Sequence, residues 1–196
     1  MILLISIFFP NPLKIFIYKK FLGWKIGKNV HIGMSYINVD NLIFHDNVTI
    51  GHFNIIKKLK KIEMGQNSGM FNFNEISGGE KEWENYFVTD HDCKITSKHH
   101  FDAGGGIQIG FDVIFAGCYS QVWTHELNFK THLLITRPVI IGSNIYIGSK
   151  VGLSPGTSIP SHSVIAMGSI VPRKIDCDEW SLIAGNPAEF KKNINH

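Results

Sequence analysis

The chain has 196 residues, 44% of them hydrophobic, which supplies one domain with a sizeable core and excludes a disordered polypeptide. Lys+Arg 19 against Asp+Glu 16 leaves a net charge of +3, and the only dense basic run is Lys57, Lys58, Lys60 and Lys61, too small a footprint for nucleic acid. Cys93, Cys118 and Cys177 are odd in number and lack Cys-x-x-Cys spacing, which argues against a disulfide framework and a thiolate zinc site and fits a reducing, cytoplasmic compartment.

In chain order, the first segment is residues 1–24. Met1 to Phe9 is apolar, but Pro10-Asn11-Pro12 interrupts it well short of the ~20 residues of a spanning helix. It lacks the leading basic residues and the small-residue cleavage site of a secretory signal. The segment is expected to pack on the body of the protein or on a partner subunit, and the alternative is a peripheral membrane contact aided by Lys14, Lys19 and Lys20.

Residues 25–182 carry a six-residue period. Ile141, Ile147, Leu153, Ile159, Ile165 and Val171 form an unbroken aliphatic register, and each is followed by a small residue or proline: Gly142, Gly148, Ser154, Pro160, Ala166 and Pro172. Four places after each aliphatic come Ile145, Val151, Thr157, Ser163 and Ser169. Neither a helix nor a simple strand has this period. Upstream the register recurs as Ile26, Ile32, Asn38, Phe44, Ile50, Ile56 and Ile62, and again at Ile109-Gly110 and Phe115-Ala116. Excursions near 78–85 and 124–138 break the phase. One aliphatic, one small and one β-branched residue per unit suits a short strand plus a turn. Three units close a triangular coil of about 18 residues that stacks on the next at parallel-sheet spacing, aliphatics inward. Residues 183–196 are expected to be a tail leaving this prism.

These columns, with the C-terminal run Ile183-Ala184-Gly185-Asn186-Pro187-Ala188, resemble the bacterial hexapeptide-repeat acyltransferases, and the stretch through Ser120-Gln121 is similar to the sugar O-acetyltransferases of surface-polysaccharide clusters. The resemblance is strong from about Gly104 to Lys192 and weaker from Lys25 to Ser77. It implies an all-β fold, a left-handed parallel β-helix, usually a homotrimer with sites between subunits, and acetyl-CoA as acyl donor.

It also implies site residues. His125 stands just after a coil and just before the excursion, the family's place for the general base that takes a proton from an acceptor hydroxyl or amine; Glu126 beside it would orient the imidazole. His91, in Thr89-Asp90-His91-Asp92, competes for that role or lines the acceptor pocket, with Trp123. For CoA, Ser149 and Met167, one coil apart, match the positions that hold the pantetheine arm, and Arg173 and Lys192 those that meet its phosphates. His99 and His100 read as surface or pocket-lining residues, and Cys118 as a buried coil thiol. The expected acceptor is a sugar or polysaccharide precursor, with an amino sugar or a xenobiotic as alternatives. A zinc site like that of the γ-class carbonic anhydrases is the less favoured reading, because His91, His99, His125 and His132 show no ligand spacing; no metal is assigned.

Overall fold

The computed structural model describes residues 6–195; Met1–Ile5, part of the expected N-terminal segment, and His196 lie outside the described residues. Among the described residues a short helix, α1 (Asn11–Leu22), precedes a run of short parallel strands that wind into a three-faced coil. Each face carries an inward column of side chains, and a second buried position two residues earlier in several strands. On the third face Ile32, Ile50, Met70, Ile95, Phe115, Ile147, Ile165 and Ile183 lie one above another through direct strand pairs. The first face stacks Ile37, Ile56, Ile76, Phe101, Val122, Leu153 and Val171. The second runs Ile26, Phe44, Met64, Thr89, Ile109, Ile141 and Ile159. All these side chains are buried, and all but the polar Thr89 belong to one hydrophobic core.

Two details depart from the sequence reading. Ile37, not Asn38, points inward, because the pairing of Tyr36–Phe44 with Ile55–Met64 shifts register between Asn38 and Val39, and Asn38 is left exposed. Ile183 still belongs to the prism, paired with Ile165. The chain leaves only at Gly185, and Ala188–Asn193 returns antiparallel along Ser181–Gly185.

The edge between the second and third faces turns through a left-handed residue in successive coils: Asn29, Asn47, Asn67, Asp92, Asp112 and Asn144 all have positive φ. Asn and Asp are the non-glycine residues that tolerate this conformation. Their side chains also bond from coil to coil, Asn29 to Asn47 at 3.2 Å, Asn47 to Asn67 at 2.9 Å and Asn67 to Asp92 at 3.0 Å.

His99 is a core residue rather than a surface one. Its Nδ1 accepts the Ser120 N–H at 3.2 Å, so Nε2 carries the proton and donates to Thr96 Oγ1 at 2.9 Å. Burial lowers its pKa to about 4. The native state therefore holds it neutral while the unfolded chain protonates it near 6.5, so its contribution is complete above pH 6.5 and is lost as pH falls toward 4. That window is worth about 3 kcal/mol. Denaturant unfolding at a series of pH values is expected to show this loss in the wild type and not in His99→Gln; parallel curves would contradict it.

Candidate active site

Coil length locates the site. Between the first and second faces the chain turns in a few residues from Leu153 to Thr157, whereas the excursions at 78–85 and 124–138 both leave the prism at this same edge. Between them lies the turn Asp102–Gly106. The 124–138 excursion is an antiparallel hairpin rather than a loop, His125–Asn128 against Leu133–Thr136, closed at its base by the Arg137 N–H donating to Thr124 O at 2.7 Å. Gly105 has to be glycine: a Cβ there would stand 2.6 Å from Thr124 O, and its N–H donates to Thr124 Oγ1 at 2.7 Å.

This framework holds His125 against Asp102. Nδ1 of His125 lies 3.1 Å from Asp102 Oδ1; the buried carboxylate also accepts the Gly104 N–H at 3.3 Å and lies 3.1 Å from Thr124 Oγ1, whose shorter bond, 2.7 Å, goes to Asp102 O. A carboxylate can only accept, so Nδ1 carries the proton and Nε2 presents a lone pair. Nε2 makes no hydrogen bond among the described residues. Two aromatic rings flank the imidazole, Trp83 at 5.4 Å and Trp123 at 6.3 Å between centroids. Trp83 is delivered by the 78–85 excursion, which the buried Asn85 pins by accepting the Gly79 N–H at 2.9 Å and donating to Glu80 O at 2.6 Å.

Glu126 does not touch the imidazole. Its carboxylate accepts Arg137 Nε at 3.2 Å and also Arg173 Nη2, and these bonds, Arg137's first, hold its pKa below the usual carboxylate range. The carboxylate bonded to the imidazole is thus Asp102, which the sequence reading passed over, as it did Trp83. Arg173 also donates to Pro155 O at 3.2 Å.

The other candidates sit elsewhere on the prism. Ser149 and Met167 do stack, on the edge between the third and first faces: the Gly168 N–H donates to Ser149 O at 2.9 Å, and Met167 is 73% exposed. Ser149 Oγ accepts the Cys118 N–H at 3.0 Å, and Cys118 is half-buried rather than buried. Lys192 is exposed on the returning strand, opposite Leu182. His91 lies on the edge between the second and third faces, bonded to Asp92 Oδ2 at 2.7 Å and stacked on Phe111 at 5.1 Å. One chain therefore gathers His125, Asp102, Trp83, Trp123, Glu126 and Arg173 on the edge between its first and second faces, the first edge, and leaves Ser149, Met167 and His91 on the other two.

Comparison with known proteins adds family context. No family model matches the sequence. Galactoside O-acetyltransferase of Escherichia coli is 39% identical over 71 residues, covering 36% of this chain and 34% of that protein. The chain spans about a third of the length of the curated relatives it matches. The polySia-specific acetyltransferase NeuO shares the fold, with a TM-score of 0.66 at 22% identity over 87% of this chain and 82% of that one. A hexapeptide-repeat acetyltransferase of Vibrio cholerae, solved with acetyl-coenzyme A, superposes with a TM-score of 0.53 at 18% identity, covering 99% and 84%. The coil is the left-handed parallel β-helix of these hexapeptide-repeat acetyltransferases.

Proposed function

We propose that this chain, which has the fold of the hexapeptide-repeat acetyltransferases, transfers an acetyl group from acetyl-CoA to a sugar hydroxyl in the cytoplasmic stages of surface-polysaccharide assembly. The observation that carries the reading is His125, held through Nδ1 by Asp102, with no hydrogen bond to Nε2 among the described residues and two tryptophan rings beside it. Nε2 takes the proton of the acceptor hydroxyl as its oxygen attacks the thioester carbonyl. The tetrahedral intermediate then expels the sulfur, and the imidazolium returns the proton to it, so that the products are the sugar ester and free CoA. Asp102 stabilises the imidazolium and fixes its tautomer. The faces of Trp83 and Trp123 suit the C–H faces of a sugar ring, and an acceptor stacked there lies beside the base.

Ser149 and Met167 lie on a different edge from His125, so a site that uses both is built between chains, which supports a homotrimer. In that assembly the pantetheine arm follows the Ser149–Met167 edge of one chain toward His125 of its neighbour, and His91 belongs to the acceptor side. Lys192 is unpaired among the described residues and is the readier phosphate ligand; Arg173 reaches a phosphate only by releasing Glu126.

The test is a transfer assay with acetyl-CoA against nucleotide sugars, oligosaccharides and amino sugars, with mass spectrometry of the products. One acetyl group added at a hydroxyl of a sugar acceptor is the expected result. Thioester left intact with every acceptor, or acetyl found only on amines, would contradict it.

A further inference from the structure

The N-terminal end of the prism is capped by helix α1, which carries apolar side chains on its outer side as well as its inner one. Helix α1 turns polar groups inward: Asn11 pairs with the outermost strand like a neighbouring backbone, donating to Val30 O at 2.9 Å and accepting the Ile32 N–H at 2.8 Å. The buried Lys14 ammonium donates to Ile32 O, Gly33 O and Ile7 O at 3.1, 2.7 and 3.3 Å. These bonds close an edge that would otherwise be open. Tyr18 is buried and Ile15, Ile17 and Leu22 pack against the core, while Leu13, Phe16 and Phe21 face outward at 45%, 55% and 64% exposure, with Phe8 of the preceding turn at 78%.

The same end is mostly cationic, with Asp46, which accepts the Lys28 N–H at 2.7 Å, as the acidic neighbour of Lys19, Lys25 and Lys28. No Asp or Glu precedes Asp40 in the sequence, while Lys19, Lys20, Lys25 and Lys28 are all exposed and none is in an ion pair among the described residues. Lys20 Nζ lies 5.5 Å over the Phe16 ring, so cation and apolar surface form one patch. We propose that this patch docks the protein peripherally on an anionic lipid surface. Its aromatic and aliphatic side chains enter the headgroup boundary and its lysines meet lipid phosphates, the two signals that stable peripheral binding requires. Among the described residues no helix is long and apolar enough to cross a membrane, so the contact is interfacial. A symmetric contact between two copies would instead set the same lysines against one another.

Docking requires no step of acetyl transfer, and the two are tested apart. The full-length protein is sedimented with vesicles of phosphatidylcholine alone and with phosphatidylglycerol added. Binding is expected only with the anionic lipid and is expected to weaken with salt. Lys19→Gln with Lys20→Gln should lower the partition coefficient about 25-fold, near fivefold per lysine, and Leu13→Ser with Phe16→Ser should lower it further. All these variants should keep the wild-type melting temperature and the wild-type rate on a soluble acceptor. Equal binding by wild type and variants, or no binding of the wild type to anionic vesicles, would overturn the proposal. So would light scattering in which Leu13→Ser with Phe16→Ser dissociates the oligomer, since the patch would then be an interface between copies.

Discussion

His125→Ala is expected to lower kcat by about 10²–10⁴, the usual worth of a positioned general base, with little change in KM for acetyl-CoA. His125 is only part-buried and lies at the foot of the hairpin, outside the inward columns of all three faces. Its removal therefore leaves the core packing in place, and the melting temperature and the mass by light scattering are expected to stay at wild-type values. Steady-state kinetics on whichever acceptor the wild type uses decide the matter. If His91→Ala abolishes transfer while His125→Ala keeps most of it, the base lies on the edge between the second and third faces and the mechanism above is wrong.

The second large effect separates two neighbouring carboxylates. Asp102→Asn is expected to lower kcat by about 10²–10⁴, because the amide can hold the imidazole in the wrong tautomer and no longer stabilises the imidazolium; the corresponding change in serine-protease triads costs about 10⁴. Glu126→Gln is expected to change kcat less than about tenfold, since its partners, the half-buried Arg137 and the exposed Arg173, are both reached by solvent and such pairs contribute little. Asp102 acts through His125, so the kinetic result needs a second readout. Nitrogen NMR of the His125 ring should show the Nδ1–H tautomer in the wild type and its loss in Asp102→Asn, with KM for acetyl-CoA unchanged in both. A large loss in Glu126→Gln with none in Asp102→Asn would return the orienting role to Glu126.

The fold was legible because its determinant is a period. Inward aliphatics from Ile141 to Val171 recur at a fixed step, and the step alone dictates a prism whose coils stack. Asn38 misled because one residue of register shift at the first edge is invisible to a six-step count; Ile37, next to it, was the apolar residue that fitted. The proposed base, His125, is marked by its place before an excursion. Asp102 is 23 residues earlier in sequence, and nothing local to His125 points to it. The coil carries the signal: Phe101 pairs with Val122, so the residues just after each, Asp102 and then Thr124–His125, meet on one edge. Trp83 could not be placed this way, because the stretch from Gly78 to Asn85 has no register. Its position comes from the buried Asn85 and from the bare Gly79 and Gly104 backbones that make room for the indole. Glu126 illustrates the limit of adjacency: consecutive residues of an extended strand point to opposite sides, so the residue after the base faces the arginines instead.

The measurement that bears most directly on a site shared between chains is mixing of two inactive variants, His125→Ala and Met167→Trp, the latter crowding the exposed CoA edge without touching the base. Each is purified alone and shown to be inactive, and the two are then unfolded, combined in equal amounts and refolded together. If His125 of one chain serves the Ser149–Met167 edge of its neighbour, random assembly leaves about one site in four with both parts intact, and activity returns to about a quarter of the wild-type value treated in the same way. Activity that stays at the level of the separate variants, with mixed oligomers demonstrated by mass spectrometry, would mean that base and donor edge are not joined across a subunit boundary.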